Sequence, residues 1–149
     1  MKASRLGAAL LVAVAVGCSD SGNSTGPASA SDFVGDWLAS SYLLTSIANT
    51  SLSEDLIVGQ GMTLSITFTE TTYSGTADFP GEPTDTFSGT YTIGGNQLTL
   101  NETGQGTPEL MTYTLSGNAM TLAGNDEQYD FNDDGVEDPA TFSMLLAKQ

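Results

Sequence analysis

Short apolar alternations, separated by turn residues at roughly ten-residue spacing, constrain this chain more than any other feature. From Thr63 to Thr69, Leu64, Ile66 and Phe68 alternate with Thr and Ser, so one face of a strand is apolar and the other polar. The same period recurs at Phe87, Gly89, Tyr91 and Ile93, then at Leu98 and Leu100, at Met111, Tyr113 and Leu115, at Met120 and Leu122, and at Phe142, Met144 and Leu146. Val34 to Leu44 reads as the first strand, and Tyr73 to Phe79 as a strand following a turn at Glu70 to Thr72. Gly94-Gly95-Asn96 and Gly117-Asn118 are hairpin turns, because Gly and Asn accept positive φ. Pro80-Gly81-Glu82-Pro83 must be a loop, since two prolines cannot sit in a central strand. Ser53 is placed to cap a short helix through Leu56 and Val58, with Glu54 and Asp55 in its first turn and Gly59 and Gly61 ending it. The fold class expected is all-β: an antiparallel up-and-down β-barrel of about eight strands. A β-sandwich shares the same local pattern and is the alternative.

The N-terminus is of another kind. Lys2 and Arg5 precede an apolar run from Leu6 to Val16, followed by Gly17 and Cys18. That is the layout of an export signal. As a helix the run would span about 16 Å, half of a bilayer core, and so too little to cross it. Ala15-Val16-Gly17-Cys18 resembles the lipobox of bacterial lipoproteins, with Ala15 in place of the preferred Leu. The resemblance implies a signal peptide over residues 1–17, cleavage before Cys18, and lipidation of the Cys18 sulfur, with further acylation of the new amino group giving a stable membrane anchor. Ser19, rather than Asp, follows the cysteine. By the enterobacterial sorting rule this points to lipid anchoring in the cell envelope at the outer membrane. Residues 18–31, rich in Ser, Gly, Asn and Pro, read as a lipidated Cys and flexible tether, and residues 32–149 as one β domain.

Beyond Cys18 the chain has eighteen acidic side chains and one basic one, Lys148, a side-chain net charge of −17. Such a surface repels phosphates and excludes nucleic acid as a partner. Catalysis is not expected. The chain has no His, its one Cys is assigned to lipid, and no base is available for a serine nucleophile.

Gly35-x-Trp37 on the first strand, the hairpin-linked strands after it, and a basic residue at the end of the last strand, Lys148, together resemble the small bacterial lipocalin-like (calycin-type) domains. The resemblance implies that Trp37 packs across a closed barrel end with the Lys148 ammonium over its ring, a cation–π contact. It also implies a cup that either binds a small apolar molecule or is filled by its own side chains. Leu64, Ile66, Phe68, Phe87, Tyr91, Ile93, Leu98, Leu100, Met111, Tyr113, Leu115, Met120, Leu122, Phe142, Met144 and Leu146 would face inward in either case.

One further motif carries chemistry. Asp130-Phe131-Asn132-Asp133-Asp134-Gly135 matches the front half of a calcium loop, D-x-[DN]-x-[DN]-G. Asp130, Asn132 and Asp134 would contribute side-chain oxygens, Val136 its carbonyl, and Asp138 an oxygen directly or through water, while Gly135 allows the sharp turn. Thr141 stands where an EF-hand has its bidentate Glu, so a bound Ca2+ would be structural and weak, in the about 0.1–1 mM class. The other reading is a polar turn without an ion. For the domain itself two functions follow. One is an envelope-anchored lipoprotein whose lipocalin-like barrel binds a small apolar molecule. The other is a filled structural barrel acting as an acidic protein-interaction module, its protein partner unnamed by the sequence.

Overall fold

The computed structural model describes residues 28–149, so the segment read as an export signal, Cys18 and most of the segment read as a tether lie outside the described residues. Alternation becomes strands as follows: α1 Ala30–Phe33, β1 Gly35–Ser46, β2 Ser53–Asp55, β3 Thr63–Phe68, β4 Thr72–Asp78, β5 Asp85–Gly94, β6 Gln97–Glu102, β7 Glu109–Ser116, β8 Ala119–Tyr129 and β9 Asp138–Lys148. From β3 to β9 each strand pairs antiparallel with the next, and β1 pairs with both β3 and β9. The sheet therefore closes into an eight-stranded up-and-down barrel, and the sandwich is set aside. Shifts of register in β1 between Ala39 and Ser41, and between Gly124 and Glu127 of β8, bend the wall as bulges do in closed barrels.

The helix expected over Ser53 to Val58 is absent. Ser53–Asp55 is instead a ninth, short strand paired with Leu43–Thr45 of β1, followed by turns. The reason is an unmet backbone edge. β3 reaches only as far as Leu38 of β1, which would leave the outer half of β1 without partners on that side. Exposed N–H and C=O groups of a strand edge need such partners. β2 provides them, and Leu56 N–H extends the pairing to the Tyr42 carbonyl at 2.9 Å.

Because successive strands run in opposite directions, one barrel end gathers the start of β1 and the β3–β4, β5–β6 and β7–β8 turns. The helix α1 plugs this end. Phe33 is 0% exposed and lies edge-on to Tyr113 and Phe68, with centroids 4.9 and 5.8 Å away. Trp37, 1% exposed, donates its indole N–H to the Phe33 carbonyl at 2.7 Å. Burying each such ring contributes roughly 1.5–3 kcal/mol. The helix lies within the segment read as tether plus the first residues of the domain. Its start is visible in hindsight as Ser29-x-x-Asp32, where the Asp32 carboxylate accepts from the Ser29 N–H at 2.7 Å and from its hydroxyl at 2.8 Å. Of the sixteen side chains expected to face inward, thirteen are buried, and Phe87, Ile93 and Leu115 are half-buried and packed against them. Among the described residues no helix is long and apolar enough to cross a membrane.

Candidate ligand cavity

The other barrel end is open. It gathers β2 with its flanking segments 47–52 and 56–62, and the segments 79–84, 103–108 and 130–137 between strands. Below it lies a cavity of about 410 Å3, within the range of pockets that take small molecules. Its walls are the inner faces of the strands, among them Leu44, Leu64, Leu100, Met111 and Met144, closed on one side by Leu56 and Met62 from the turn after β2. Two rings lie flat against the wall because the residue opposite each has no side chain. Gly75 pairs across the strands with Phe87, and Gly124 with Phe142. A Cβ at either glycine would overlap the ring. These glycine–aromatic pairs keep the wall thin where a larger pair would fill the space.

The rim is polar. Glu102, Glu109 and Glu127 line it, all half-buried, together with Tyr42, Gln60 and Tyr129. The Tyr42 hydroxyl donates to Glu127 Oε1 at 2.8 Å. Burial, then the charges of Glu127 and Glu109, push the Tyr42 hydroxyl well above its ordinary range. Burial, then Glu102 and Glu109, push Tyr73 up to about 12. Both phenols are therefore protonated at neutral pH, and the rim glutamates stand close to the tyrosines of the cavity. Gln60 reaches across the rim and donates to the Tyr129 hydroxyl at 2.6 Å, and Tyr129 is edge-on to Phe131 at 4.9 Å.

Asp55 fixes the β2 side of this mouth. Its Oδ2 accepts from the Ser41 hydroxyl at 2.6 Å, and its Oδ1 from the N–H groups of Tyr42, Ile57 and Val58 at 3.0–3.2 Å. Burial works against its charge, but the bonds from Ser41, Val58, Tyr42 and Ile57 outweigh it and hold the carboxyl below its ordinary range. Sequence reasoning placed Asp55 in the first turn of a helix. The local signal against that reading is weak: Ile57 and Val58 are β-branched, which lowers helix propensity only slightly.

At the plugged end, Lys148 Nζ stands 5.4 Å from the centroid of the Trp37 ring and 3.4 Å from the Asp32 carbonyl oxygen. Gly35 has φ +133°, a conformation that favours glycine, and a Cβ there would lie 2.7 Å from Lys148 Cε. Gly35 thus opens the path by which the lysine stem crosses to the ring. The fold brings Gly35, Trp37 and Lys148 together.

The acidic loop between β8 and β9 closes on itself. Asp130 accepts from the N–H groups of Asn132, Asp134 and Gly135, the last at 2.7 Å. Asn132 Oδ1 accepts from Asp134 N–H, Asn132 Nδ2 donates to Asp134 Oδ2, and Asp134 Oδ1 accepts from Val136 N–H. Gly135 has φ +83°. The bond from Gly135 first, with those from Asn132 and Asp134, holds Asp130 below the ordinary carboxylate range. Asp130, Asn132, Asp134 and Val136 are gathered by these bonds. Asp138 stands apart as the first residue of β9, paired with Tyr129. Among the described residues no three carboxylates converge as a metal-holding group.

A closed antiparallel barrel, plugged by aromatic rings at one end and hollow at the other, defines a class of ligand-binding β-barrel. A profile of the lipocalin-like domain matches residues 33–122, more than half of the chain, and the protein belongs to that family. Lipocalin-like domains are generally binding or carrier proteins rather than enzymes. No match was found among curated proteins.

Proposed function

We propose that this protein is an envelope-anchored, non-catalytic carrier whose barrel takes a small apolar molecule. The observation that carries the reading is the hollow of about 410 Å3 walled by aliphatic, Met and aromatic side chains. It favours a carrier over a filled structural barrel, because an unfilled apolar space forgoes contacts that a packed core would make. The anchor rests on the charged, apolar and small-residue order of residues 1–17 and on Cys18, the chain's one cysteine. It would place the barrel at the membrane surface on a tether, at the outer membrane by the residue after Cys18. A structural calcium at the acidic loop belongs to the same reading, with Asp130, Asn132 and Asp134 as side-chain ligands, the Val136 carbonyl as a fourth, and Asp138 through water. It is supported by the order of oxygen-bearing residues and by the positive φ at Gly135.

One native mass spectrum of the protein purified from the membranes of its source cells tests carrier and anchor together. The expected species begins at Cys18, carries acyl chains, and holds an extractable apolar adduct. A chain without acyl mass would contradict the anchor. A chain without an adduct would contradict the carrier.

A further inference from the structure

We infer that the molecule taken by the cup is an uncharged apolar compound with a hydrogen-bond-accepting oxygen, a ketone or an ester in type, which accepts from the Tyr73 hydroxyl. The inference rests on the carrier reading and names the chemical class of its ligand.

Four of the five tyrosines use their hydroxyl within the fold. Tyr42 donates to Glu127, Tyr91 to the Thr69 carbonyl at 2.6 Å and Tyr113 to the Gly95 carbonyl at 2.8 Å, while Tyr129 accepts from Gln60. Tyr73 is the exception. Its hydroxyl has no hydrogen-bond partner among the described residues, although the residue is only 3% exposed. The ring packs against Phe68 and Phe87, with centroids 6.2 and 6.3 Å away. Among the described residues no unpartnered side-chain oxygen is sealed inside packed atoms, so the hydroxyl faces open space, and the space that Tyr73 lines is the hollow. Of the buried residues in that lining, Tyr73 alone has a hydrogen-bonding side chain.

Buried donors are ordinarily matched by an acceptor. A ligand that fills the hollow takes water away from this one. A hydrocarbon leaves the donor unmet, which costs free energy, whereas an acceptor oxygen meets it. An ammonium has no lone pair with which to accept. An anion is opposed by the charges of Glu102 and Glu109, which, after burial, push Tyr73 up to about 12 and keep it a donor at neutral pH. The single cationic side chain of the described residues, Lys148, is over Trp37 at the plugged end, so a carboxylate in the hollow would have no counter-ion there. A carbonyl oxygen accepts without bringing a charge.

The test uses residues 19–149, which contain the whole closed barrel. N-phenyl-1-naphthylamine, a neutral fluorescent probe without oxygen, is bound first. It is then displaced at pH 7 by benzophenone, by 1,1-diphenylethylene, in which a CH2 group replaces the carbonyl oxygen, or by diphenylacetate. Tyr73→Phe should weaken benzophenone by about fivefold, the loss of one neutral hydrogen bond, and leave the probe and 1,1-diphenylethylene unchanged. Diphenylacetate should be weaker than benzophenone by on the order of tenfold in the parent. Without ligand, Tyr73→Phe should melt no lower than the parent, because no bond within the fold is lost. Equal effects of Tyr73→Phe on the ketone and the alkene, including none on either, overturn the inference while the carrier reading stands. So does diphenylacetate that matches benzophenone, benzophenone that fails to displace the probe, or a lowered melting temperature, which would show the hydroxyl bonded within the barrel. A barrel that takes up neither probe nor any competitor overturns both.

Discussion

At Asp55 one carboxylate accepts four hydrogen bonds, and two of them come from the β1 bulge while two come from the turn that walls the cavity. Its folded-state pKa is depressed, so the stability it contributes is full above the ordinary Asp value of about 3.9 and is lost as pH falls through the folded value. Asp55→Asn should destabilise the fold at pH 7 by on the order of 1–3 kcal/mol, for weakened bonds to a charged acceptor, and lower the melting temperature accordingly. The difference from the parent should shrink steadily below about pH 4, where the parent's own carboxylate becomes protonated. Melting curves from pH 7 to pH 2 check this, and a constant offset would contradict it. Little of Asp55's role was legible in the sequence. An Asp beside Leu, Ile and Val also reads as a helix start, and what decides between the readings is Tyr42 and Ser41, more than ten residues away. Gly35 and Trp37 were legible because the motif is local. Phe33, which completes the aromatic plug, was not, because it stands before the alternation begins.

Among the elements, β3 to β9 were legible because each has a polar and an apolar face and a turn signal at its end. α1 was not, because four residues cannot display a helical period. β2 was not, because it exists to satisfy the part of β1 that β3 fails to reach, a fact about two strands and not about either segment. The β8–β9 loop lies between these cases. Its hydrogen-bonded turn is fully consistent with Asp130, Asn132, Asp134 and Gly135 as written, and a cation would add to a geometry that the backbone N–H groups already favour. If calcium binds, Asp134→Ala, which also removes the bonds from Val136 N–H and Asn132 Nδ2, should lower the melting temperature more with calcium than without it, and calcium should raise that of the parent. Equal losses with and without calcium would sink the ion and leave a self-capped turn.

At the scale of the whole molecule, the barrel separates two chemistries along its axis. The plugged end has aromatic rings, the indole of Trp37 and the Lys148 cation; the open end has a hollow and most of the carboxylates. The inward set of side chains was legible from alternation alone, but its division into packed core and cavity lining was not. That division depends on Gly75 and Gly124, which thin the wall behind Phe87 and Phe142, and on the turn that holds Leu56 and Met62 over one side. Neither effect has a period in the sequence. Ala77 lines the same hollow with a small side chain and is half-buried. Ala77→Trp should fill the space without removing a core contact. The most direct measurement is therefore a titration of residues 19–149 with N-phenyl-1-naphthylamine, parent against Ala77→Trp, both confirmed as folded by their melting temperatures. The parent should bind the probe with one saturable site, and Ala77→Trp should weaken that binding at least tenfold. Equal binding by the two proteins, or none by the parent, would contradict a ligand held in the barrel.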